Sequence, residues 1–153
     1  MSKIDTIPSF GAMLRYALGD AVSADEGDDF LAMCAEDIVF QFPYAPVGTV
    51  TELHGKDAIA DYLPKVGALI ALESMGTPIV HSSTDGETFI LEFSCKASGV
   101  NTGARYDQNY ISVVRVQGGR IVHYRDYWNP LILLEAVGGV EPLTSNFQEF
   151  IND

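Results

Sequence analysis

GGRIVHYRDYWNPLILLEAVGG, residues 118–139, reads as a hairpin turn, a strand and a terminating helix. Side chains alternate along a strand, so Val122, Tyr124, Asp126 and Trp128 fall on one face and Ile121, His123, Arg125 and Tyr127 on the other. Asp126 therefore lies among an aliphatic and two aromatic residues. A carboxyl in such a place must be paired or hydrogen-bonded, or its pKa rises, because desolvation penalises the charged form. No other feature of the chain looks as much like chemistry.

Upstream of this stretch the apolar period is two from Leu72 onward, predicting strands at about 74–82, 88–97 and 105–117. Asp85-Gly86 and SGVNTG supply the turns between them. In the middle strand Phe89, Leu91, Phe93 and Cys95 form the apolar face, while Glu92 and Lys96 point to solvent. Further back, Ile59, Tyr62, Leu63, Val66 and Ile70 make one stripe of a helix over 56–69, in which Pro64 is expected to produce a kink. DIVFQFPY, residues 37–44, is a strand carrying Ile38, Phe40, Phe42 and Tyr44 on one face. A short helix over 28–35 buries Phe30, Met33 and Cys34. A longer one over 9–22 carries Phe10, Met13, Leu14, Ala17, Leu18 and Ala21 at helical spacing, and Tyr16 falls off that stripe. Downstream, Ser145 and Gln148 fit a capping box ahead of Phe147, Phe150 and Ile151, so the tail 139–153 is expected to form a short amphipathic turn that docks on the body or on a partner chain. Helices first and strands afterwards give an α+β fold, with the helices on one face of a curved antiparallel sheet. The length suits a single domain, 1–153.

Composition narrows the function. The net charge of −12 repels phosphate, which argues against nucleic acid and anionic membrane surfaces. No apolar run approaches the roughly 20 residues of a membrane helix, and the polar start MSKIDTIPSF lacks a signal-peptide core, so a cytoplasmic location is expected. Cys34 and Cys95 have no metal spacing and read as buried small hydrophobes. The histidines, His54, His81 and His123, are not spaced as metal ligands, and no phosphate loop or dinucleotide fingerprint occurs. The expectation is no metal and no cofactor.

The element order, together with AEDIVFQFP (35–43), His54-Gly55 before a helix, and GRIVHYRDYWNPLILLEAVGG (119–139), resembles the nuclear transport factor 2-like superfamily. The likeness is to its SnoaL-like and phenazine biosynthesis A/B members, which share an Arg-acid-aromatic-X-Asn-Pro segment like Arg125 to Pro130 and a strand like TGARYDQNY, residues 102–110. The resemblance implies a cone-shaped, cystatin-like barrel around an apolar pocket and homodimers packed through the sheet. An exposed apolar sheet face at Ile121, His123, Tyr127, Ile111 and Val113 would serve such a contact.

Residue by residue, the resemblance divides. Limonene epoxide hydrolase pairs a strand acid with an Arg-X-Asp, a Tyr and an Asn; here 88–97 has no Arg-X-Asp, and Phe40 and Phe42 replace the water-holding pair. The ketosteroid isomerase base falls near Phe42, and its helix tyrosine is Tyr16. In the phenazine proteins the counterpart of Asp126 is a glutamate acting as general acid, and a histidine falls at Tyr62. The resulting expectation is a cofactor-independent isomerase, cyclase or dehydratase acting on an apolar, oxygen-bearing molecule. Asp126 would transfer the proton, Tyr62 and Tyr124 would assist, and Phe40, Phe42, Trp128, Tyr110 and His81 would contact the substrate. The alternatives are a non-catalytic small-ligand-binding module of the same fold, and a protein-binding domain with an occluded pocket. A purely structural Asp126 would bond to a tyrosine, Asn109 or Gln108.

Overall fold

Both glycines of the Gly118-Gly119 hairpin hold positive φ, 62° and 78°, and Gln117 pairs with Arg120 across them. The structure, a computed structural model, describes residues 6–7, 9–23 and 27–151. Its elements are β1 (Thr6–Ile7), α1 (Phe10–Leu18), α2 (Phe30–Met33), β2 (Cys34–Gln41), β3 (Glu52–His54), α3 (Lys56–Leu69), β4 (Ile70–Gly76), β5 (Ile79–Ser82), β6 (Thr88–Gly99), β7 (Gln108–Gln117), β8 (Arg120–Trp128), α4 (Pro130–Val137) and α5 (Glu141–Ser145).

The strands form one sheet in the order β1-β4-β6-β7-β8-β2-β3, with β5 also paired to β6. Antiparallel pairing dominates, as the hairpin turns dictate. The exception is β2, which lies parallel to β8 with Phe40 opposite Tyr124; no local signal announces a pairing between residues so far apart in sequence. The segment 74–82 is two strands rather than one. It breaks at Thr77-Pro78, where proline has no N–H to offer the ladder, so that β4 takes one half of β6 and β5 the other.

A bulge corrects the face assignment on β8. Arg115 pairs with His123 but Val116 pairs with Ile121, so Val122 is an extra residue on its strand. One extra residue reverses the alternation beyond it. Ile121 is therefore fully buried along with Tyr124, and Val122 does not continue the Asp126 face. Tyr44, expected to continue the buried face of β2, lies beyond the strand and is exposed.

The helices cover the concave face. Ser9 caps α1 by accepting from the Ala12 N–H at 3.1 Å, and its stripe of Met13, Leu14, Ala17 and Leu18 is buried while Tyr16 is exposed. The helix stops at Leu18, earlier than the apolar pattern, because Gly19 turns the chain at φ 53°. Helix α3 has the expected bounds with Pro64 inside and runs directly into β4. Asn129 caps α4 by accepting from Leu131 N–H at 3.0 Å, Pro130 opens it, and Gly138 closes it in the left-handed conformation. The capping box at Ser145 does not form. Pro142 opens α5 earlier, and Ser145, its last residue, donates its hydroxyl to the Glu141 carbonyl. The tail still docks, with Leu143 and Phe147 buried and Lys65 3.2 Å from Glu149. No described helix is long and apolar enough to cross a membrane.

Candidate active site

Between the concave sheet and its helices lies a cavity of about 370 Å³, within the range of small-molecule sites. Strand register decides which side chains reach it. On β7 and β8 the inward rows pair Tyr110 with Trp128 and Ser112 with Asp126, and on β6 Phe93 lies opposite Tyr110. Trp128, Asp126, Tyr110 and Phe93 line the cavity, as do Phe40 and Phe42 from β2 and its continuation, and Tyr62 from α3.

Among the described residues Asp126 is the one carboxylic acid on that wall, and no Lys, Arg or His lines it. Its Oδ1 accepts a hydrogen bond from the Ser112 hydroxyl at 3.1 Å. Ser112 in turn accepts from the Tyr124 hydroxyl at 2.8 Å. Among the described residues nothing donates to Oδ2, and no side-chain nitrogen or oxygen there is both buried and without a partner. Oδ2 therefore opens into the cavity. The carboxyl is half-buried, and it lines the cavity wall. Burial pushes the Asp126 pKa up to about 7, with the Ser112 hydrogen bond pulling weakly the other way. Both protonation states are thus populated near neutrality, which suits a proton-transfer group.

The phenols remain donors. Burial, and after it the nearby Asp126 charge, raises the Tyr62 pKa. Burial pushes Tyr106 up to about 12 against hydrogen bonds from Tyr110 and Gln108, and it raises Tyr110 well above the usual tyrosine value. Tyr106 and Tyr110 are hydrogen-bonded hydroxyl to hydroxyl at 3.0 Å. Phe93 stacks on Tyr110 with ring centroids 4.9 Å apart, and Phe42 lies 5.6 Å from Tyr62. Such packing fixes the rings that carry the hydroxyls.

The structure thus brings Asp126, Tyr62, Tyr110, Phe40, Phe42 and Trp128 together. It separates two residues expected beside them. Tyr124 is fully buried behind the wall and reaches Asp126 only through Ser112. His81 is exposed on β5 and pairs with Glu92 at 2.7 Å, because Ile79, Glu92, Ile111 and Tyr127 mark its side of the sheet as the outer one. His123, on the outer face as expected, meets Gln41 at 2.6 Å. The partner of Asp126 is neither Asn109 nor Gln108 but Ser112, hidden from sequence by the bulge: counting from Gln117 opposite Arg120 pairs Asp126 with Ile111 instead. Tyr106 was also missing from the expected site, although period two from Tyr110 through Gln108 leads to it. Cys95 lines the cavity with a thiol pKa raised by burial. No cluster of three or more metal-ligating side chains occurs among the described residues.

Residues 15–124 match the SnoaL-like domain. The uncharacterized protein YesE of Bacillus subtilis is 49% identical over 68% of this chain and 71% of its own. An uncharacterized PhzA/B-like protein of Pseudomonas aeruginosa is 36% identical over 67% of this chain and 72% of its own. A crystal structure from Bacillus subtilis, provisionally named an isomerase, is 40% identical and superposes with a TM-score of 0.70 over 83% of this chain and 96% of that one. With the curved sheet, the helices on its concave face and the strand that carries Asp126 all in place, these matches show that the chain belongs to the SnoaL-like domain family of the nuclear transport factor 2-like fold.

Proposed function

We propose that the protein is a cofactor-independent isomerase, cyclase or dehydratase that moves protons on an apolar, oxygen-bearing small molecule. The observation that carries this is Asp126: a carboxyl with one oxygen held by Ser112, the other open to an aromatic cavity, and a pKa raised to about 7. In the simplest step the carboxylate takes a proton from a carbon next to a carbonyl. The C–H bond breaks, an O–H bond forms on Asp126, and the electron pair moves to the carbonyl oxygen, where neutral phenols donate to it. Return of the proton to that carbon or to a conjugated one completes exchange or isomerisation. The 40% identical structure provisionally named an isomerase supports the same class.

The experiment is deuterium incorporation into naphthyl methyl ketone in heavy water, followed by proton NMR. The wild type is expected to accelerate exchange, and Asp126→Asn to lose about 100-fold or more of that acceleration. Equal rates in the two would refute the catalytic reading and favour the ligand-binding module.

We also propose that the outer sheet face, where Ile79, Ile111 and Tyr127 share a row and both isoleucines are exposed, packs against a second copy of the chain. Light scattering should give a dimer that Ile111→Glu converts to monomer. A monomeric wild type would rule it out.

A further inference from the structure

The ligand class can be narrowed further, on the reading that the Asp126 cavity is the functional site. The polar residues lining the cavity include Asp126, Tyr62 and the hydrogen-bonded Tyr106–Tyr110 pair. In the pair, whichever phenol donates, the acceptor keeps its own O–H. Beside it among the described residues stand the Gln108 amide, whose oxygen already accepts from two backbone N–H groups, and the Cys95 thiol, 4.0 Å from Tyr110 and only a weak acceptor, so a carbonyl oxygen is the better partner. A phenol that accepts one hydrogen bond is polarised into a better donor for the next.

We propose that the Tyr106–Tyr110 hydroxyl pair is a specificity-determining subsite that binds an uncharged carbonyl oxygen, and that the cavity rejects carboxylate ligands and organic ammonium ions alike. The argument is one of complementarity. An anion would enter an apolar space that no cation lines among the described residues, with nothing to replace its water, and would meet Asp126 whenever that group is ionised. An ammonium ion would find aromatic faces, which attract cations. It would also find a carboxyl that burial keeps largely neutral below neutrality, so that no full negative charge faces it there. A ketone offers what the site lacks, an acceptor without charge. Neutral Asp126 donates through Oδ2, since Oδ1 is occupied by Ser112.

Three probes of similar shape test this by calorimetry at about pH 6, where carboxylates and amines are charged: naphthyl methyl ketone, naphthoate and naphthylmethylammonium. The wild type is expected to bind the ketone at least about tenfold more tightly than either ion. Ethylnaphthalene, which keeps the shape without the oxygen, supplies the control for the subsite. The affinity advantage of the ketone over it should shrink about fivefold in Tyr106→Phe/Tyr110→Phe, the scale of one neutral hydrogen bond. The single Tyr106→Phe and Tyr110→Phe variants and the wild-type preference are read independently of whether the double variant folds. An ion bound as tightly as the ketone, no ketone binding, or an undiminished advantage in the phenylalanine variants would each overturn the proposal. Ketone-selective binding with no deuterium exchange overturns the catalytic reading and leaves this one standing. Exchange with an ion preferred does the reverse.

Discussion

At the scale of the residue, everything turns on a carboxyl whose neutral form the fold prefers. The folded pKa of Asp126 is about 7 against 3.8 for the free side chain. Between those values the native chain holds a proton that the unfolded chain has released, so stability falls as pH rises from about 4 through about 7 and levels off above. Three pKa units correspond to at most about 4 kcal/mol, less the hydration that the open cavity allows Oδ2. Urea unfolding of the wild type and Asp126→Asn should therefore diverge with pH. The variant gains on the wild type by up to that amount between about pH 4 and pH 8.5, and a constant difference would show that the carboxyl is not desolvated. The acid and its aromatic setting were legible from the alternation of β8, and so were Phe40, Phe42, Tyr62 and Trp128. Ser112 was not, because a partner across a hairpin is found by counting register and one bulged residue at Val122 spoils the count.

At the scale of the element, close packing of backbone positions the cavity roof. Gly99 ends β6 beneath α4, and a Cβ there would lie 2.0 Å from the Ala136 carbonyl oxygen. That same oxygen accepts from the Thr102 hydroxyl at 2.5 Å. Leu133 and Val137 of α4 line the cavity. Gly99→Ala must push α4 outward, and is expected to cost about 1–3 kcal/mol, as overpacking does. Thermal unfolding checks it; an unchanged Tm would mean that α4 is free to shift. The bounds of α3 followed from apolar spacing, whereas α1 and α2 are shorter than expected, ending at Leu18 and at Met33, where Cys34 opens β2. The parallel β2–β8 pairing, the split at Thr77-Pro78 and the failed cap at Ser145 did not follow from spacing, since each depends on a neighbour that only the folded chain supplies. His81 was misplaced for the same reason: its face on β5 is set by pairing with β6.

At the scale of the whole molecule, an acidic chain wraps a curved sheet and helices around a cavity that no cation lines among the described residues, and leaves ion pairs such as Arg105 with Glu73 and Asp107 outside. Charge is kept at the surface, and the proton transfer proposed for Asp126 would take place inside. The most direct test of that division is the pH dependence of deuterium exchange into naphthyl methyl ketone. After subtraction of the Asp126→Asn rate, the wild-type rate should follow the ionised fraction of Asp126, rising to a plateau with a midpoint of about 7. A midpoint near the usual carboxylate range, or a wild-type rate no greater than that of the variant, would contradict the assignment of Asp126 as the group that moves the proton.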